Sequence, residues 1–270
     1  MALTLQIASD LHLEHIPTGD RATFDLSSIL TPSADVLALA GDIGSPFDGS
    51  LEAILSWSAS RWKRVYFVHG NHELYSNSGI AASDIIAAMQ QLCEKYQNVV
   101  YLNNRVDVFE GVCFIGSTLW SEVPEAYIEP VTNHLNDYIF ICTRPGVPST
   151  VNDTNAEFHK NKEFLRNAIS NALEKSYWPI IITHHAPWTK KTSNPRFDGQ
   201  VTNCAFATDI PASNNEIQLW VSGHTHYNYS HTLAGYKLVS NQKGYGNGDK
   251  AVRGYKKDYV CNVVAQLSSL

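Results

Sequence analysis

Five short polar clusters stand out in the sequence because each offers side chains that can bind a metal ion. The clusters are Asp10-Leu11-His12, Gly41-Asp42, Gly70-Asn71-His72-Glu73, Thr183-His184-His185 and Gly223-His224-Thr225-His226. Imidazole and carboxylate ligands without thiolate favour Mn, Fe, Zn or Co over a soft metal or a metal cluster. A calcium or magnesium site would contain more oxygen ligands and fewer histidines. The residue types therefore predict a site for one transition-metal ion or for two neighbouring ions.

The spacing within the clusters suggests how these side chains reach one site. In Asp-x-His and His-x-His the two potential ligands are two residues apart, so they lie on the same side of an extended segment. Glycine precedes three of the clusters, at Gly41, Gly70 and Gly223, where it would let the backbone turn sharply off a strand. We expect the side chain that follows each turn to point into the site.

Each cluster follows a short apolar run of the kind that forms a buried β-strand. The predicted strands are Leu3–Ala8, Val36–Ala40, Val65–Val68, Pro179–Ile182 and Ile217–Val221. Apolar residues at helical spacing predict helices at Ser50–Arg61, Gly79–Lys95 and Ala156–Lys175. Alternating strands and helices predict an α/β fold, in which ligands bind beyond the carboxyl ends of the strands. All five clusters would then open at one edge of the sheet.

The remaining segments predict smaller elements. A hairpin is expected at Val106–Phe109 and Val112–Ile115, and several strands separated by Gly-rich turns follow Tyr227, with a loop at Gly244–Asp249. Between residues 121 and 155 the pattern weakens, and four prolines interrupt it. We interpret residues 121–155 as an inserted loop or cap within a single domain of residues 1–270.

Composition and charge exclude several classes of protein. Of the 270 residues, 44% are hydrophobic and 17% are charged, as in a globular enzyme with a sizeable core. The formal net charge of −6 makes nucleic acid an unlikely partner except as a short substrate. The five cysteines include no C-x-x-C pair, which indicates a reducing compartment. No apolar run approaches the roughly 20 residues of a membrane span and the start lacks a basic signal region, so we expect a cytoplasmic protein outside the membrane.

The order of the clusters, D-x-H, G-D, G-N-H-E, H and G-H-x-H, resembles that of the calcineurin-like metallophosphoesterase superfamily. The resemblance covers all five motifs, from Asp10 to His226. It implies a four-layer α/β/β/α sandwich with two divalent metal ions at the strand ends. By the same resemblance, Asp42 bridges the two ions, and the catalytic residues are His72, which is the family's catalytic histidine, Asp42 and Asn71. The implied ligands are Asp10, His12, Asp42 and His226 for one ion, and Asp42, Asn71, His184 and His224 for the other.

The resemblance also implies a reaction, the hydrolysis of a small phosphate ester by a hydroxide that bridges the two metals. Ile-Gly-Ser-Pro follows Gly41-Asp42 here, in place of the G-D-x-V-D-R-G motif of the Ser/Thr protein phosphatases. The phosphate-binding arginine of that branch is therefore missing, which favours a small phosphodiester or nucleotide-like substrate, with Mn as the supporting metal. The alternatives are a phosphomonoesterase or protein phosphatase, and a catalytically weak binding scaffold with the same fold.

Several assignments stay open at the level of the sequence. We favour His184 over His185 as the metal ligand because His184 comes first off its strand, and His185 would then face the phosphate. Asn71, His72, His185 and Arg144 are the expected substrate contacts, Arg144 because its guanidinium presents a planar fork of donors. Glu73 either supports the site from behind or caps a helix. No residue is assigned to orient His72, for which Asp48 is a poor candidate. His15 is taken as a structural or surface histidine.

Overall fold

Two β-sheets form the centre of the computed structural model, which describes residues 3–21, 23–213, 215–246 and 252–264. The first sheet has five strands in the order β13-β1-β2-β3-β4, and β1 to β4 pair in parallel. Strand β13 runs antiparallel to β1 at the edge of this sheet. Its strands are β1 (Leu3–Ala8), β2 (Val36–Ala40), β3 (Arg64–Val68), β4 (Val99–Tyr101) and β13 (Val260–Val263).

The second sheet has six strands in the order β11-β12-β10-β9-β6-β5. Its four central strands pair in parallel, while β11 and β5 are antiparallel edge strands. The strands are β5 (Arg105–Phe109), β6 (Val112–Ser117), β9 (Ile180–Thr183), β10 (Leu219–Val221), β11 (Ser230–Leu233) and β12 (Tyr236–Val239). A separate two-stranded hairpin pairs β7 (Cys142–Arg144) with β8 (Val147–Pro148).

Side-chain alternation along the strands divides the core into an inner layer and two outer faces. Leu5, Ile7 and Val68 of the first sheet pack against Phe114 and Ile182 of the second sheet. The alternate residues of the same strands face outward and join the helices in a second apolar cluster. Because both faces of both sheets are covered, the central strands are mostly apolar, and β2 and β10 are apolar along their whole length. The arrangement is the predicted four-layer α/β/β/α sandwich.

Six α-helices accompany the sheets in the described residues. They are α1 (Thr18–Arg21), α2 (Ser50–Ala59), α3 (Ala82–Glu94), α4 (Ile128–His134), α5 (Asp137–Phe140) and α6 (Val151–Glu174). Helices α2 and α3 contribute Leu55 and Met89 to the outer apolar cluster, and α6 contributes Phe158 and Leu165. Since α3 contacts β4 and α6 contacts β6, the helices lie against opposite sheets.

Residues 121–155 are more structured than the sequence predicts. They contain α4, α5 and the β7–β8 hairpin, together with the start of α6. Their own small core of Val123, Val131, Tyr138 and Val151 includes Ala205 from a later loop. Helix α6 begins at Val151 and not at the predicted Ala156, because Thr150 and Asp153 form a capping box. The segment therefore has more regular structure than the sequence pattern indicates, and its role as an insert or cap within a single domain stays a prediction.

Other predicted bounds differ from the structure by a few residues. Strands β1 and β2 have the predicted ends, and the hairpin of β5 and β6 lies where it was expected. Strand β10 begins at Leu219 and not at Ile217, and α3 begins at Ala82 and not at Gly79. Of the predicted Gly244–Asp249 loop, residues 247–249 lie outside the described residues. Among the helices of the described residues, none combines the length and apolarity required to span a membrane.

Candidate metal centre

The five polar clusters meet at one edge of the sandwich, as the strand-end rule predicts. Asp10 and Asp42 follow β1 and β2 of the first sheet, while His184 and His224 follow β9 and β10 of the second sheet. A backbone hydrogen bond from Gly223 to the carbonyl of His184 joins the last two clusters. The edges of two separate sheets therefore supply side chains to the same place.

Asp10, His12 and His226 form a first group of potential ligands. Nε2 of His12 lies 3.0 Å from Nε2 of His226, which in turn lies 3.4 Å from Oδ1 of Asp10. Asp10 and His12 are buried, and His226 is partly exposed. The ligands around a single cation have nitrogen and oxygen atoms at similar separations.

Asp42, His184 and His224 form a second group. Nε2 of His184 lies 3.2 Å from Nδ1 of His224, 3.1 Å from Oδ1 of Asn71 and 3.5 Å from Oδ1 of Asp42. His184 donates its Nδ1 hydrogen to the carbonyl of Ala40 at 2.9 Å, which leaves the Nε2 lone pair directed at the group. All four side chains are buried.

Asp42 lies between the two groups. Its Oδ2 is 3.8 Å from Nε2 of His12 in the first group, and its Oδ1 is 3.5 Å from Nε2 of His184 in the second. One carboxylate thus faces both sets of ligands with a different oxygen. This is the position from which a carboxylate could bridge two ions.

The backbone at the ligands is left-handed, which the sequence did not predict. Five of the seven predicted ligands have positive φ: Asp10 (52°), His12 (49°), Asp42 (55°), His224 (69°) and His226 (48°). The prediction that D-x-H and H-x-H lie on extended segments is therefore wrong, since an extended residue has negative φ. A non-glycine residue in this region costs of order 1–3 kcal/mol and persists where the surrounding structure enforces it.

The three glycines before the clusters act in two different ways. Gly41 has φ of 86° and makes the turn that the sequence predicts. At Gly70 the requirement is space, because a Cβ would lie 2.2 Å from Oδ1 of Asp42 and 2.6 Å from Nε2 of His184. At Gly223 a Cβ would lie 2.6 Å from Oδ2 of Asp10. All three glycines therefore make room for ligands, since a Cβ at Gly41 would also collide with the ring of His184, and Gly41 in addition turns the chain.

His72 stands beside the two groups without belonging to either. Its backbone N–H donates to Oδ1 of Asp42 at 2.9 Å, while its ring stacks on Tyr75 with centroids 4.4 Å apart. Nδ1 lies 3.3 Å from Oε1 of Glu14, and Nε2 lies 3.1 Å from the hydroxyl of Tyr245. Burial lowers the pKa of His72, but the carboxylates of Asp42 and Glu14 outweigh it and raise this pKa to about 9.

Comparison with known proteins agrees with this geometry. Residues 4–228 match the calcineurin-like phosphoesterase family, and this range includes both ligand groups and all five motifs. The chain belongs to the calcineurin-like phosphoesterase family.

Two relatives illustrate how far the likeness extends. An uncharacterised protein of Acanthamoeba polyphaga mimivirus is 31% identical over 259 residues, which cover 90% of this chain and 91% of the viral protein. The solved structure of the phosphopantetheinyl hydrolase of Mycobacterium tuberculosis superposes with a TM-score of 0.72 at 19% identity. That superposition covers 97% of this chain and 95% of the mycobacterial chain, and it shows a shared fold.

In this member of the calcineurin-like phosphoesterase family, the adjacent residues His184 and His185 have different surroundings. Nδ1 of His185 bonds Oγ of Ser121 at 2.9 Å, and its ring packs on His224 with centroids 4.0 Å apart. His185 is fully buried and belongs to neither ligand group. The structure therefore brings His184 to the ligand group and leaves His185 behind it, away from the predicted contact with phosphate.

Arg144 also lies away from the place predicted for it. It is exposed at the end of β7 and lines neither of the two large cavities beside the ligand groups. We therefore propose neither Arg144 nor His185 as a substrate contact.

Glu14 is a site residue that the sequence analysis missed. Its Oε1 lies 3.0 Å from Nδ1 of His12 and 3.3 Å from Nδ1 of His72, so one oxygen contacts both histidines. Burial raises the pKa of Glu14, but the hydrogen bonds of the two histidines outweigh it and lower this pKa to about 2. Glu14 stands two residues beyond His12, which was the available signal. Asp48, the weak sequence candidate for orienting His72, pairs instead with Arg21 at 2.8 Å.

Glu73 supports the centre from behind. Its two carboxylate oxygens accept hydrogen bonds from the backbone N–H groups of Asp42, Ile43, Gly44 and Gly70. Burial and the nearby Asp42 carboxylate raise the pKa of Glu73 to about 7, against the four donors that favour the ionised form. Because Glu73 ties the loop after β2 to the loop after β3, it fixes the position of Asp42. Of the two roles predicted for Glu73, support of the site and helix capping, the structure matches the first.

Asn71 receives similar support from the inserted segment. Its amide Nδ2 donates to Oδ1 of Asp137 at 2.8 Å, and the hydroxyl of Tyr75 donates to the same oxygen at 2.6 Å. These contacts decide which way the amide points, so Oδ1 of Asn71 faces the second ligand group. Helix α5 therefore orients a ligand, in addition to forming a wall.

A cavity of about 660 Å³ opens over the second ligand group. Asp42, His224 and His226 lie at its lining, beside residues 134–137 of the insert and residues 193–206 of the later loop. Arg196 and Phe206 are part of that loop, and Tyr245 completes the wall. Small-molecule sites occupy roughly 300–1,000 Å³, so this cavity holds considerably more than a phosphate group.

The donor set fits two divalent ions. Histidine, aspartate and one amide oxygen are ligands that Mn, Fe, Zn and Co accept, and the described residues around the two groups contribute no thiolate. Two divalent ions bound by two aspartate carboxylates and four neutral imidazoles would carry a net charge of about +2. A centre of this charge attracts a phosphate ester.

Proposed function

We propose that the chain hydrolyses a phosphate ester with two divalent metal ions. The observation that carries the proposal is Asp42, whose two carboxylate oxygens face two separate ligand groups. Asp10, His12, Asp42 and His226 would hold one ion, and Asp42, Asn71, His184 and His224 the other. When bound, the ions would lower the pKa of a water molecule and neutralise charge on the phosphoryl oxygens.

His72 would move the proton that the leaving group needs. Its Nδ1 hydrogen is held by Glu14 at 3.3 Å, which directs Nε2 toward the cavity. As an imidazolium, His72 carries a second hydrogen on Nε2, which it can give to the departing oxygen. Glu14 is then a positioning residue, since it fixes the ring and stabilises its positive charge without touching the substrate.

Tyr245 supports the same assignment. Its hydroxyl bonds Nε2 of His72 at 3.1 Å, and its ring packs on His12 with centroids 4.3 Å apart. A substrate oxygen must take the place of that hydroxyl or share the nitrogen with it. The phenol therefore occupies the region where the leaving group is expected.

We propose a small phosphodiester or nucleotide-like molecule as the substrate. The volume of about 660 Å³ leaves room for a group on each side of the phosphate. Phe206 and Phe197 offer apolar contact in the lining, while Asn136, Asn203 and Gln200 offer hydrogen bonds to a polar group. The missing protein-phosphatase arginine supports the same choice, and manganese is the metal that we propose to support turnover.

A panel of substrates tests the proposal. Purified protein with Mn²⁺ is assayed on bis-p-nitrophenyl phosphate, p-nitrophenyl phosphate, cyclic nucleotides and a phosphopantetheine diester, with chelated protein as the blank. We expect turnover of a diester above that of the monoester, and none by Asp42→Asn. Faster hydrolysis of the monoester would overturn the preference for diesters. Full occupancy by metal without turnover of any ester would favour the binding-scaffold alternative.

A further inference from the structure

A third group of potential ligands lies outside the two groups assigned to the metal centre. Oε1 of Glu14 is 3.6 Å from Nε2 of His15 and 3.3 Å from Nδ1 of His72. One potential ligand atom from each of Glu14, His15, His72 and His12 lies within 4.8 Å of the other three. His15 has no part in the proposed reaction, so its presence in this group is unexplained by that function.

The spacing of these atoms suits a tetrahedral zinc site. With zinc–nitrogen and zinc–oxygen bonds of about 2.0–2.1 Å, neighbouring ligand atoms of a tetrahedron lie about 3.3 Å apart. The two distances from Glu14, 3.3 and 3.6 Å, are close to that separation. The ligand atoms of His15 and His72 lie within 4.8 Å of each other, so a closing shift of at most about 1.5 Å would let the three side chains share one ion.

His12 is a neighbour of this third group and not a free member of it. Its Nε2 faces the first ligand group, 3.0 Å from Nε2 of His226. A metal bound at that nitrogen leaves the ring hydrogen on Nδ1, where it donates to Glu14 at 3.0 Å. Glu14, His15 and His72 are therefore the three side chains that can bind a further ion.

The third group is also open to solution. Glu14, His15 and His72 line a second cavity of about 800 Å³, and the side chain of His15 is 54% exposed. Oε2 of Glu14 is buried, and none of the described residues forms a hydrogen bond with it. Three protein ligands with an open side are typical of zinc sites that keep a fourth position for water.

We infer that Glu14, His15 and His72 form an inhibitory site for a third metal ion, zinc. Zinc would bind the Nδ1 lone pair of His72, and the hydrogen of that nitrogen would leave to solvent. The ring could then no longer become the imidazolium that protonates the leaving group, so turnover falls as the site fills. Manganese binds sites rich in histidine more weakly than zinc does, and it therefore leaves this site free.

Zinc binding itself does not depend on the proposed function, while inhibition does. Wild-type protein is dialysed against rising concentrations of free Zn²⁺, and the metal is counted by mass spectrometry. We expect two tight equivalents and a third that binds more weakly. His15→Ala and His15→Gln should bind two equivalents, with an unchanged melting temperature as evidence of folding. A third equivalent that persists in both variants would overturn the site.

His159→Ala is the matched control. His159 is an exposed histidine that lies 3.7 Å from Glu122, and it is not part of a ligand group. His159→Ala should keep the third zinc equivalent. Loss of that equivalent in His159→Ala would contradict the inference, because the loss would then not be specific to His15. A failure of the third equivalent to appear in wild-type protein would also contradict it.

Activity then separates this inference from the proposed function. In the Mn²⁺-supported assay, added zinc should inhibit wild-type protein and His159→Ala at the concentration that fills the third site. His15→Ala should have the same activity without zinc and require at least tenfold more zinc for half inhibition. Equal inhibition of the two variants would overturn the regulatory role. If no ester is turned over, the proposed function fails, and the metal count alone still decides the site.

Discussion

At the scale of single residues, the candidate metal centre depends on a few side chains that each contact two partners. Asp42 faces two ligand groups, and Glu14 contacts a proposed metal ligand and the proposed catalytic histidine through one oxygen. A change at either residue therefore affects two partners together. Kinetic and metal-binding measurements are needed side by side to separate those effects.

Replacement of Glu14 should slow turnover more than it weakens substrate binding. Glu14→Ala removes the group that holds Nδ1 of His72, and we expect kcat to fall roughly 10–100-fold, the usual cost of losing such a partner. Glu14→Gln keeps an acceptor oxygen without charge and should lie between Ala and wild type. Both are assayed at full metal occupancy, verified by metal analysis. Unchanged kcat in Glu14→Ala would contradict the positioning role, and Glu52→Gln, at an exposed pair with Lys95, is the control.

Gly70 tests whether space is the requirement at the glycine before Asn71. Gly70→Ala places a methyl group 2.2 Å from Oδ1 of Asp42 and 2.6 Å from Nε2 of His184, so these ligands must move apart. We expect the variant to fold and to lose most of its second metal equivalent. Gly19→Ala is the control, because a Cβ there has no atom within 4 Å. Normal metal content in Gly70→Ala would show that the ligands can adapt.

At the scale of elements, burial determines what can be predicted from the sequence. Strands β1 and β2 are covered on both faces, so their apolar runs end where the strands end. The five motifs follow such strands, and the rule about carboxyl ends is enough to bring the predicted ligands together. Glu14, Asp137 and Tyr245 lie on loops and a short helix whose positions depend on tertiary contacts, and no periodicity marks them. The left-handed backbone at Asp10 and His12 is equally invisible in a spacing pattern.

The inserted segment has a prediction of its own. Asp137 at the start of α5 fixes the amide of Asn71, and without it the amide can rotate away from the second ligand group. We expect Asp137→Ala to weaken the second metal equivalent by about 10–100-fold, as the loss of a supporting partner does. Tyr75→Phe removes only the hydroxyl that also donates to Asp137 and should weaken it less. Isothermal titration with Mn²⁺ measures both, and equal affinity of Asp137→Ala and wild type would contradict this role.

At the scale of the whole molecule, the candidate metal centre joins two sheets that otherwise meet through apolar packing. The ligands of the first sheet and those of the second come from opposite sides of the inner core. Five of these residues hold strained, left-handed backbone, and each costs of order 1–3 kcal/mol in the folded state. Bound cations would offset that cost. Stability of the entire fold should therefore depend on metal.

Removal of metal should lower the melting temperature in a way that requires Asp42. An ion at 100 times its Kd that binds only the folded state contributes about 2.7 kcal/mol. For a chain of this size, that free energy corresponds to roughly 5–10 °C in Tm. Scanning calorimetry of wild-type protein with Mn²⁺ and with EDTA should show a shift of at least this size. Asp42→Asn lacks the carboxylate that both ligand groups share, so its Tm should hardly respond to metal; a shift as large as that of wild type would mean that the two groups bind without it.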